Sequence, residues 1–259
     1  MPAPARPYVG ITGFMSRGEV DHVLQAWPVD SNFSLMVGVL ASSKTLAGLT
    51  NKWPNRYPRI GEIAGIFPDD ARSLNLIHYA TDTPDRLSEE LLRLQRLSGP
   101  RLHGFQLNVP WPETGELAKY LQASPGSYIV LQLGSRALDQ VAHDPTQLRN
   151  QLVRYVGLIS SVLVDTSGGL GRSLDAEVLR NILTAIRPLP LGLGVAGGLS
   201  ANSIGLLGNL PKEFPGLSID AEGRLRDPRT DHLVADEAGA FLEAAQGVLY
   251  VEGSRGLEP

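Results

Sequence analysis

The chain has 259 residues, of which 42% are hydrophobic and 19% charged, and its formal net charge is −4. This composition suits a folded domain with a sizeable core and excludes a disordered chain, and the length suits one α/β barrel. The charge balance gives no indication of nucleic acid or an anionic membrane as a partner. Because the chain has no cysteine, disulfides, cysteine metal ligands and a cysteine nucleophile are excluded.

The N-terminal segment MPAPARPYVGITG contains no signal-peptide core, and no apolar run reaches the length of a membrane span. We therefore expect a cytoplasmic protein. The five histidines show no metal-ligand spacing, and no motif calls for a cofactor, so we expect neither. A small-molecule substrate is the expected partner, and the sequence leaves open whether the protein forms a homodimer.

Short apolar runs alternate with helical patterns along the whole chain. The predicted strands cover residues 8–12, 33–40, 74–80, 104–109, 127–133, 161–166, 191–197 and 217–220. The predicted helices cover residues 18–27, 61–67, 83–97, 114–122, 144–156, 173–186, 200–210 and 236–249. Eight such units favour a closed TIM (β/α)8 barrel, as a single domain over 1–259, because a doubly wound open sheet would leave two edges to protect.

The clearest helix is predicted in the segment TPDRLSEELLRLQRL (83–97). Thr83 is its expected cap, and Pro84 suits the first helical position. Leu87, Leu91 and Leu94 recur on one face, which should pack on the sheet.

The longest irregular stretch is SSKTLAGLTNKWPNRYPR (42–59), after the second strand. A loop of this length is uncommon unless it has a function. The residues that suit a lid over an anionic or flat ligand at the barrel mouth are Lys44, Lys52, Trp53, Arg56, Tyr57 and Arg59. Trp53 and Tyr57 could stack on a ring, or they could pack the loop onto the barrel. A surface loop with solvated cations explains the same residues.

Asp165 ends an apolar run in the segment VLVDTSGGLGRSLD (162–175), and a glycine-rich stretch follows it. In a barrel, residues at the carboxyl ends of strands line the ligand site, so Asp165 should lie at the mouth. A general acid or base there is one interpretation. An aspartate that orders the glycine-rich loop by accepting hydrogen bonds from its amides is the other.

Three segments in order, YVGITG (8–13), VLVDTSGGLGRSLD and LGVAGGLSANSI (193–204), resemble phosphoribosylanthranilate isomerase. That family rearranges a phosphorylated aminoaldose with a strand-1 cysteine as base and a strand-6 aspartate as acid. The resemblance implies that Asp165 is the acid and that the substrate is phosphorylated. It also implies phosphate contacts at Gly197, Gly198 and a helix starting near Ser200, where a helix N-terminus would suit an anion.

Two features depart from that family. Val9 occupies the position of the cysteine and cannot move a proton, so the standard isomerase activity is not expected. The second departure is the segment LSIDAEGRLRD (217–227), which contains the eighth strand. Side chains alternate between the two faces of a strand, and this alternation turns Asp220 toward the barrel interior. Two unit charges about 4 Å apart repel by roughly 4 kcal/mol at an effective dielectric constant of about 20, so Asp220 and Glu222 would oppose a phosphate beside them unless a cation such as Arg224 or Arg226 offsets them.

The remaining candidates would surround the same mouth. Asp220 is either a second catalytic carboxylate or the partner of Arg172 or Arg226. His78 is the histidine that could replace the missing base, or it is a satisfied rim residue. The other predicted substrate-binding residues are Asn108, Gln132, Gly168, Gly169 and Arg172, with Gln106 as a polar core residue beside them.

Three functions remain open at this point. The first is a diverged isomerase-like enzyme that acts on a sugar or phosphosugar with Asp165 as general acid or base. The second is a glycoside- or N-riboside-cleaving enzyme that uses Asp165 and Asp220, whose separation would suit two carboxylates with a water between them. The third is a ligand-binding barrel without catalysis.

Overall fold

The structure is a computed structural model that describes residues 1–2, 5–166 and 174–249. Eight parallel strands close into a barrel in which each strand pairs with its neighbours in sequence and the last pairs with the first. The predicted (β/α)8 barrel is therefore confirmed. The strands are β1 (Tyr8–Thr12), β2 (Ser34–Ser42), β3 (Ser73–Ala80), β4 (Gly104–Leu107), β5 (Tyr128–Leu133), β6 (Ser161–Asp165), β7 (Gly192–Ala196) and β8 (Ser218–Ala221).

Helices surround the barrel and pack their apolar faces on the outward-facing strand residues. None of the helices in the described part of the chain is long and apolar enough to cross a membrane. The α-helices are α1 (Arg17–Gln25), α2 (Ser43–Leu46), α3 (Ile63–Ile66), α4 (Leu87–Ser98), α5 (Thr114–Ala123), α6 (Ser135–Asp139), α7 (Pro145–Val153), α8 (Ala176–Ile186), α9 (Leu210–Glu213) and α10 (Ala235–Leu249), and the 3-10 helices are Pro84–Arg86, Ile204–Leu207 and Gly223–Leu225.

The barrel interior contains two kinds of buried side chain. On β1, Val9 and Ile11 pack outward against the helices, so the interior positions are those of Tyr8, Gly10 and Thr12. We call the apolar cluster inside the barrel the apolar layer; it consists of Tyr8, Met36, Leu74, Leu76, Tyr128, Val130, Leu163 and Ala196. Toward the carboxyl ends of the strands lies a set of buried polar side chains, which we call the polar layer: Thr12, His78, Gln106, Gln132 and Asp220.

The start of α4 differs from the prediction. Leu87, Leu91 and Leu94 are buried as expected, but α4 begins at Leu87 after the 3-10 turn Pro84–Arg86. Thr83 makes no side-chain cap hydrogen bond, and its hydroxyl donates to Glu90 Oε1 at 2.8 Å instead. Pro84 lies in the first turn of the 3-10 helix, as predicted, but the side-chain cap predicted for Thr83 is absent, because the α-helix begins only at Leu87.

The region after β2 is also more regular than predicted. The strand continues to Ser42, and the helix α2 follows at once. Ser42 and Thr45 form a reciprocal capping box, and Asn51 accepts a hydrogen bond from the Ser42 hydroxyl at 2.7 Å. These polar residues therefore hold the first part of segment 42–59 in a defined conformation.

The helix predicted at 200–210 is the clearest error among the elements. A 3-10 helix (Ile204–Leu207) and the single turn α9 occupy this region, and no α-helix begins near Ser200. Gly208 has φ +55°, which ends the first turn, and Pro211 suits only the first turn of the second helix. The helix N-terminus expected to bind a phosphate is therefore missing here.

Candidate active site

A cavity of about 670 Å³ opens at the carboxyl ends of the strands. Its wall comes from the ends of β2, β3, β5 and β6, the turns that follow β3, β4 and β5, and segment 42–59. The candidate residues that line it include His78, Asn108, Gln132 and Asp165, together with Glu222 from the end of β8. This is the end of the barrel where a ligand site is expected.

Segment 42–59 contributes Lys52, Trp53, Arg56 and Tyr57 to the wall of the cavity. Arg56 binds Glu222 at 2.8 Å and Asp231 at 2.6 Å, so the segment is attached to the region after β8. The indole ring of Trp53 has Lys52 Nζ 4.6 Å and Arg56 Cζ 5.5 Å from its centroid. Cations therefore lie close to the ring that was a candidate for stacking on a ligand.

Asp165 is the last residue of β6, as the apolar run VLVD predicts, and its half-buried side chain lines the cavity. Gln132 on the neighbouring strand β5 donates a hydrogen bond from Nε2 to Asp165 Oδ2 at 3.2 Å. This bond orients the carboxylate relative to the cavity. The position is suitable for proton exchange with a bound molecule.

Asp220 points into the barrel, as the alternation of β8 predicts, but it lies outside the cavity wall. Its two carboxyl oxygens each lie 3.0 Å from the Thr12 hydroxyl, and Gln106 Nε2 donates to Oδ2 at 3.0 Å. Gly10 makes room for the group, since a Cβ there would lie 2.8 Å from Asp220 Oδ1. Neither Thr12 nor Gly10 was recognised in the sequence as part of this site, although a glycine inside a strand is a known signal of close approach.

Burial raises the pKa of Asp220 to about 7, the hydrogen bonds from Gln106 and Thr12 lower it, and the charges of Glu222 and Asp165 raise it further. The group therefore titrates near neutral pH. Asp220 forms no ion pair with Arg226, one of the partners considered from the sequence. Arg226 donates instead to the backbone carbonyl oxygens of Gly13 at 2.6 Å and Asp231 at 2.7 Å.

Two glutamines connect Asp220 to Asp165. Gln106 Nε2 lies 3.0 Å from Asp220 Oδ2 and 3.3 Å from Gln132 Oε1, and Gln132 in turn donates to Asp165. An amide is suited to such a chain because its oxygen accepts while its nitrogen donates. The sequence prediction had placed Gln132 at the mouth and Gln106 in a polar core, and both lie in this one chain.

His78 is 6% exposed, lines the cavity, and belongs to the polar layer. Burial lowers the pKa of its ring, which is therefore neutral near pH 7. Its Nδ1 lies 3.4 Å from Gln106 Nε2, a group that can only donate. If Nδ1 accepts this contact, the ring carries its proton on Nε2, where it can donate a hydrogen bond to a ligand.

Of the other predicted substrate-binding residues, some line the cavity and some lie outside its wall. Asn108 follows β4 and lines the cavity. Gly197 and Gly198 have φ of +116° and +62°, and Gly198 accepts a hydrogen bond from Ser203. Ser200 is buried and contacts Ser203, and neither it nor the two glycines belongs to the cavity wall. Gly168, Gly169 and Arg172 lie outside the described residues.

Searches for similar proteins show a barrel fold and no family. The structure is similar to that of phosphoribosyl anthranilate isomerase from Thermus thermophilus, with a TM-score of 0.62 and 13% identity, over 93% of this chain and 98% of that one. It is also similar to the carboxyl transferase domain of Rhizobium etli pyruvate carboxylase, with a TM-score of 0.55 and 11% identity, over 98% of this chain and 50% of that one. No protein-family model and no curated protein matches the sequence. The fold is therefore that of a TIM barrel similar to phosphoribosylanthranilate isomerase.

Proposed function

We propose that this protein is an enzyme that isomerises a sugar or phosphosugar, with Asp165 as the group that exchanges protons with the substrate. The observation that carries the proposal is the position of Asp165, which ends β6 in the wall of the cavity and is oriented by Gln132 at 3.2 Å. A positioned general acid or base contributes typically about 10²–10⁴-fold to a rate.

The proposed reaction moves hydrogen within an open-chain aldose or aminoaldose. The Asp165 carboxylate removes the proton from C2 and returns it to C1. The hydrogen of the C2 hydroxyl moves to the oxygen or nitrogen on C1, so the product is a ketose or aminoketose and no atom is gained or lost. This reaction needs no cysteine on β1, where Val9 packs outward against the helices.

The amide and imidazole groups of the cavity suit the substrate oxygens during this transfer. His78 with its proton on Nε2 and the Asn108 amide are neutral hydrogen-bond donors in the same cavity as Asp165. Such donors stabilise the negative charge that develops on the substrate oxygens when the C2 proton leaves. Neutral donors serve a sugar better than a second carboxylate would.

Bond cleavage by Asp165 together with Asp220 is less well supported. That reaction needs both carboxyl groups in contact with the substrate. Asp165 lines the cavity, whereas Asp220 is buried behind it and bound by Thr12 and Gln106. The cavity therefore offers the arrangement for proton exchange rather than the one for two-carboxylate hydrolysis.

The test is proton exchange in deuterium oxide, followed by NMR. The protein is incubated with ribose 5-phosphate, glucose 6-phosphate, their glycosylamines, ribose and a purine nucleoside, and deuterium at C1 or C2 is measured. We expect exchange with at least one sugar, a loss of about 10²–10⁴-fold in Asp165→Asn, and wild-type exchange in Asp30→Asn, an exposed carboxylate at the opposite end of the barrel.

Three outcomes would contradict the proposal. Wild-type exchange in Asp165→Asn would remove Asp165 from the reaction. Release of the free base from the nucleoside without exchange would favour bond cleavage. Binding of a sugar with no chemical change in any sample would favour a ligand-binding barrel.

A further inference from the structure

The charged groups of the cavity are distributed unequally around the barrel. Lys44 follows β2, Lys52 lies further along segment 42–59, and Arg136 follows β5. Asp165 and Glu222 lie at the ends of β6 and β8, and Asp82 after β3 is the one carboxylate of the described wall on the basic side. The cavity thus has a basic side and an acidic side.

Two of these cations make neither an ion pair nor a contact with an aromatic ring within the part of the chain that the structure describes. Arg56 is neutralised by Glu222 and Asp231, and Lys52 lies over the Trp53 ring. Lys44 and Arg136 form no ion pair with a described carboxylate, and both are exposed to the cavity. Unpaired cations in a concave site attract an anionic ligand.

The acidic side of the cavity should repel an anionic ligand. Glu222 lies in the wall there, and Asp220 lies behind it with a pKa of about 7, so part of the population carries a second negative charge at neutral pH. The α-helix that was expected to present amides to a phosphate near Ser200 is absent, because a 3-10 helix occupies that region. An anion beside β7 and β8 would therefore meet repulsion without compensation from a helix N-terminus.

We propose that Lys44 and Arg136 form a binding site for the phosphate monoester of a phosphorylated sugar, on the β2–β5 side of the mouth. This inference rests on the proposed function, whose substrate class it narrows. His78 on β3 and Asn108 directly after β4 lie between the two cations in strand order, and Arg136 follows β5, which pairs with the strand that carries Asp165. A phosphate held there leaves the sugar carbons within the cavity that Asp165 lines.

Calorimetric titration with ribose 5-phosphate, ribose and inorganic phosphate tests the site without need of catalysis. We expect the wild type to bind ribose 5-phosphate at least about tenfold more tightly than ribose, since a charge-assisted contact is stronger than a neutral one. Lys44→Met/Arg136→Met should lose this preference. The matched control is Lys212→Met/Arg101→Met, which removes two exposed cations that precede β8 and β4, at the opposite end of the barrel.

The variants separate this inference from the proposed function. Asp165→Asn should keep the preference for ribose 5-phosphate even though it loses proton exchange. The inference is overturned if the wild type shows no preference for the phosphorylated sugar, if Lys44→Met/Arg136→Met keeps that preference, or if Ser200→Ala loses it. Circular dichroism of each variant establishes that the barrel is folded before its affinity is compared.

Discussion

The apolar and polar layers occupy the same barrel interior on the same strands, yet they differ in what they contribute. In the apolar layer, side chains such as Leu163 and Val130 are fully buried, and their removal from water stabilises the fold. In the polar layer, Asp220 and Gln106 are buried nearly as deeply, and each needs hydrogen bonds to offset the loss of water. Gln106 Oε1 has no partner among the described atoms.

The buried polar side chains should stabilise the barrel less than apolar side chains in the same positions would. A barrel could fill both layers with mainly apolar side chains, and this chain does so only in the apolar layer. The polar layer instead contains a chain of hydrogen-bonded side chains that ends at Asp165 in the cavity wall. We interpret the polar layer as the support that orients Asp165, at a cost in stability.

The substitution with the largest expected effect on the free energy of unfolding is in the apolar layer. Leu163→Ala should lower the free energy of unfolding by about 2–5 kcal/mol, because it leaves a cavity in a fully buried site. Urea denaturation measures this change, and it should be the same at every pH where the barrel folds. Val178→Ala, at an exposed position on α8, is the control and should change stability by less than about 0.5 kcal/mol. Equal losses in the two variants would contradict the assignment of the layer.

Asp220 should make the polar layer sensitive to pH. Its pKa rises from 3.8 to about 7 on folding, so the folded protein holds the proton more tightly. This stabilisation is complete below pH 3.8 and is lost as the pH rises through about 7, by up to about 4 kcal/mol. Asp220→Asn keeps the shape of the side chain and removes the titration. The stability of the wild type relative to this variant should therefore fall between pH 4 and pH 8, and parallel curves for the two proteins would be evidence against a buried, titrating Asp220.

Gln132 is expected to affect both stability and proton exchange. Gln132→Met removes the donor to Asp165 and the acceptor for Gln106, which should cost about 1–3 kcal/mol in unfolding free energy. Because Asp165 would lose its orientation, exchange should fall through kcat with little change in KM. Gln132→Glu keeps an acceptor for Gln106 but places a second carboxyl group against Asp165, so it should not restore exchange. Wild-type kcat in Gln132→Met would show that Asp165 is oriented by other groups.

The smallest effect is expected at the attachment of segment 42–59. Arg56→Met breaks the ion pairs with Glu222 and Asp231, which are partly exposed, so it should cost about 1 kcal/mol or less. The loss should shrink as salt is added, because salt screens such pairs. Thermal melts at low and high salt measure this, and a salt-independent loss would point to packing by the Arg56 stem instead.

The strand pattern was sufficient to predict the barrel and the direction of its main side chains. Apolar runs of the right length and number gave eight strands, and alternation placed Asp220 inside the barrel and Asp165 at the end of β6. Both predictions depend on local sequence alone. The same holds for Leu87, Leu91 and Leu94, whose spacing matches one face of a helix.

The two wrong helix predictions have local causes, whereas the contacts that the sequence did not reveal are long-range. Thr83 does not cap α4, because the 3-10 turn Pro84–Arg86 separates it from the start of that helix at Leu87. The helix predicted near Ser200 does not form, although Gly208 and Pro211 were visible as helix-breaking signals. The contacts of Thr12 and Gln106 with Asp220 join β1, β4 and β8 across the barrel, and no local pattern reveals such a contact.

The most direct test of the central claim is the rate of C2 proton exchange in Asp165→Asn at saturating substrate, compared with Asp30→Asn under the same conditions. The account predicts that Asp165→Asn keeps its affinity for the sugar and loses about 10²–10⁴-fold in exchange, while Asp30→Asn matches the wild type. Exchange at the wild-type rate in Asp165→Asn would contradict the account, since the polar layer would then support a carboxylate that takes no part in the reaction.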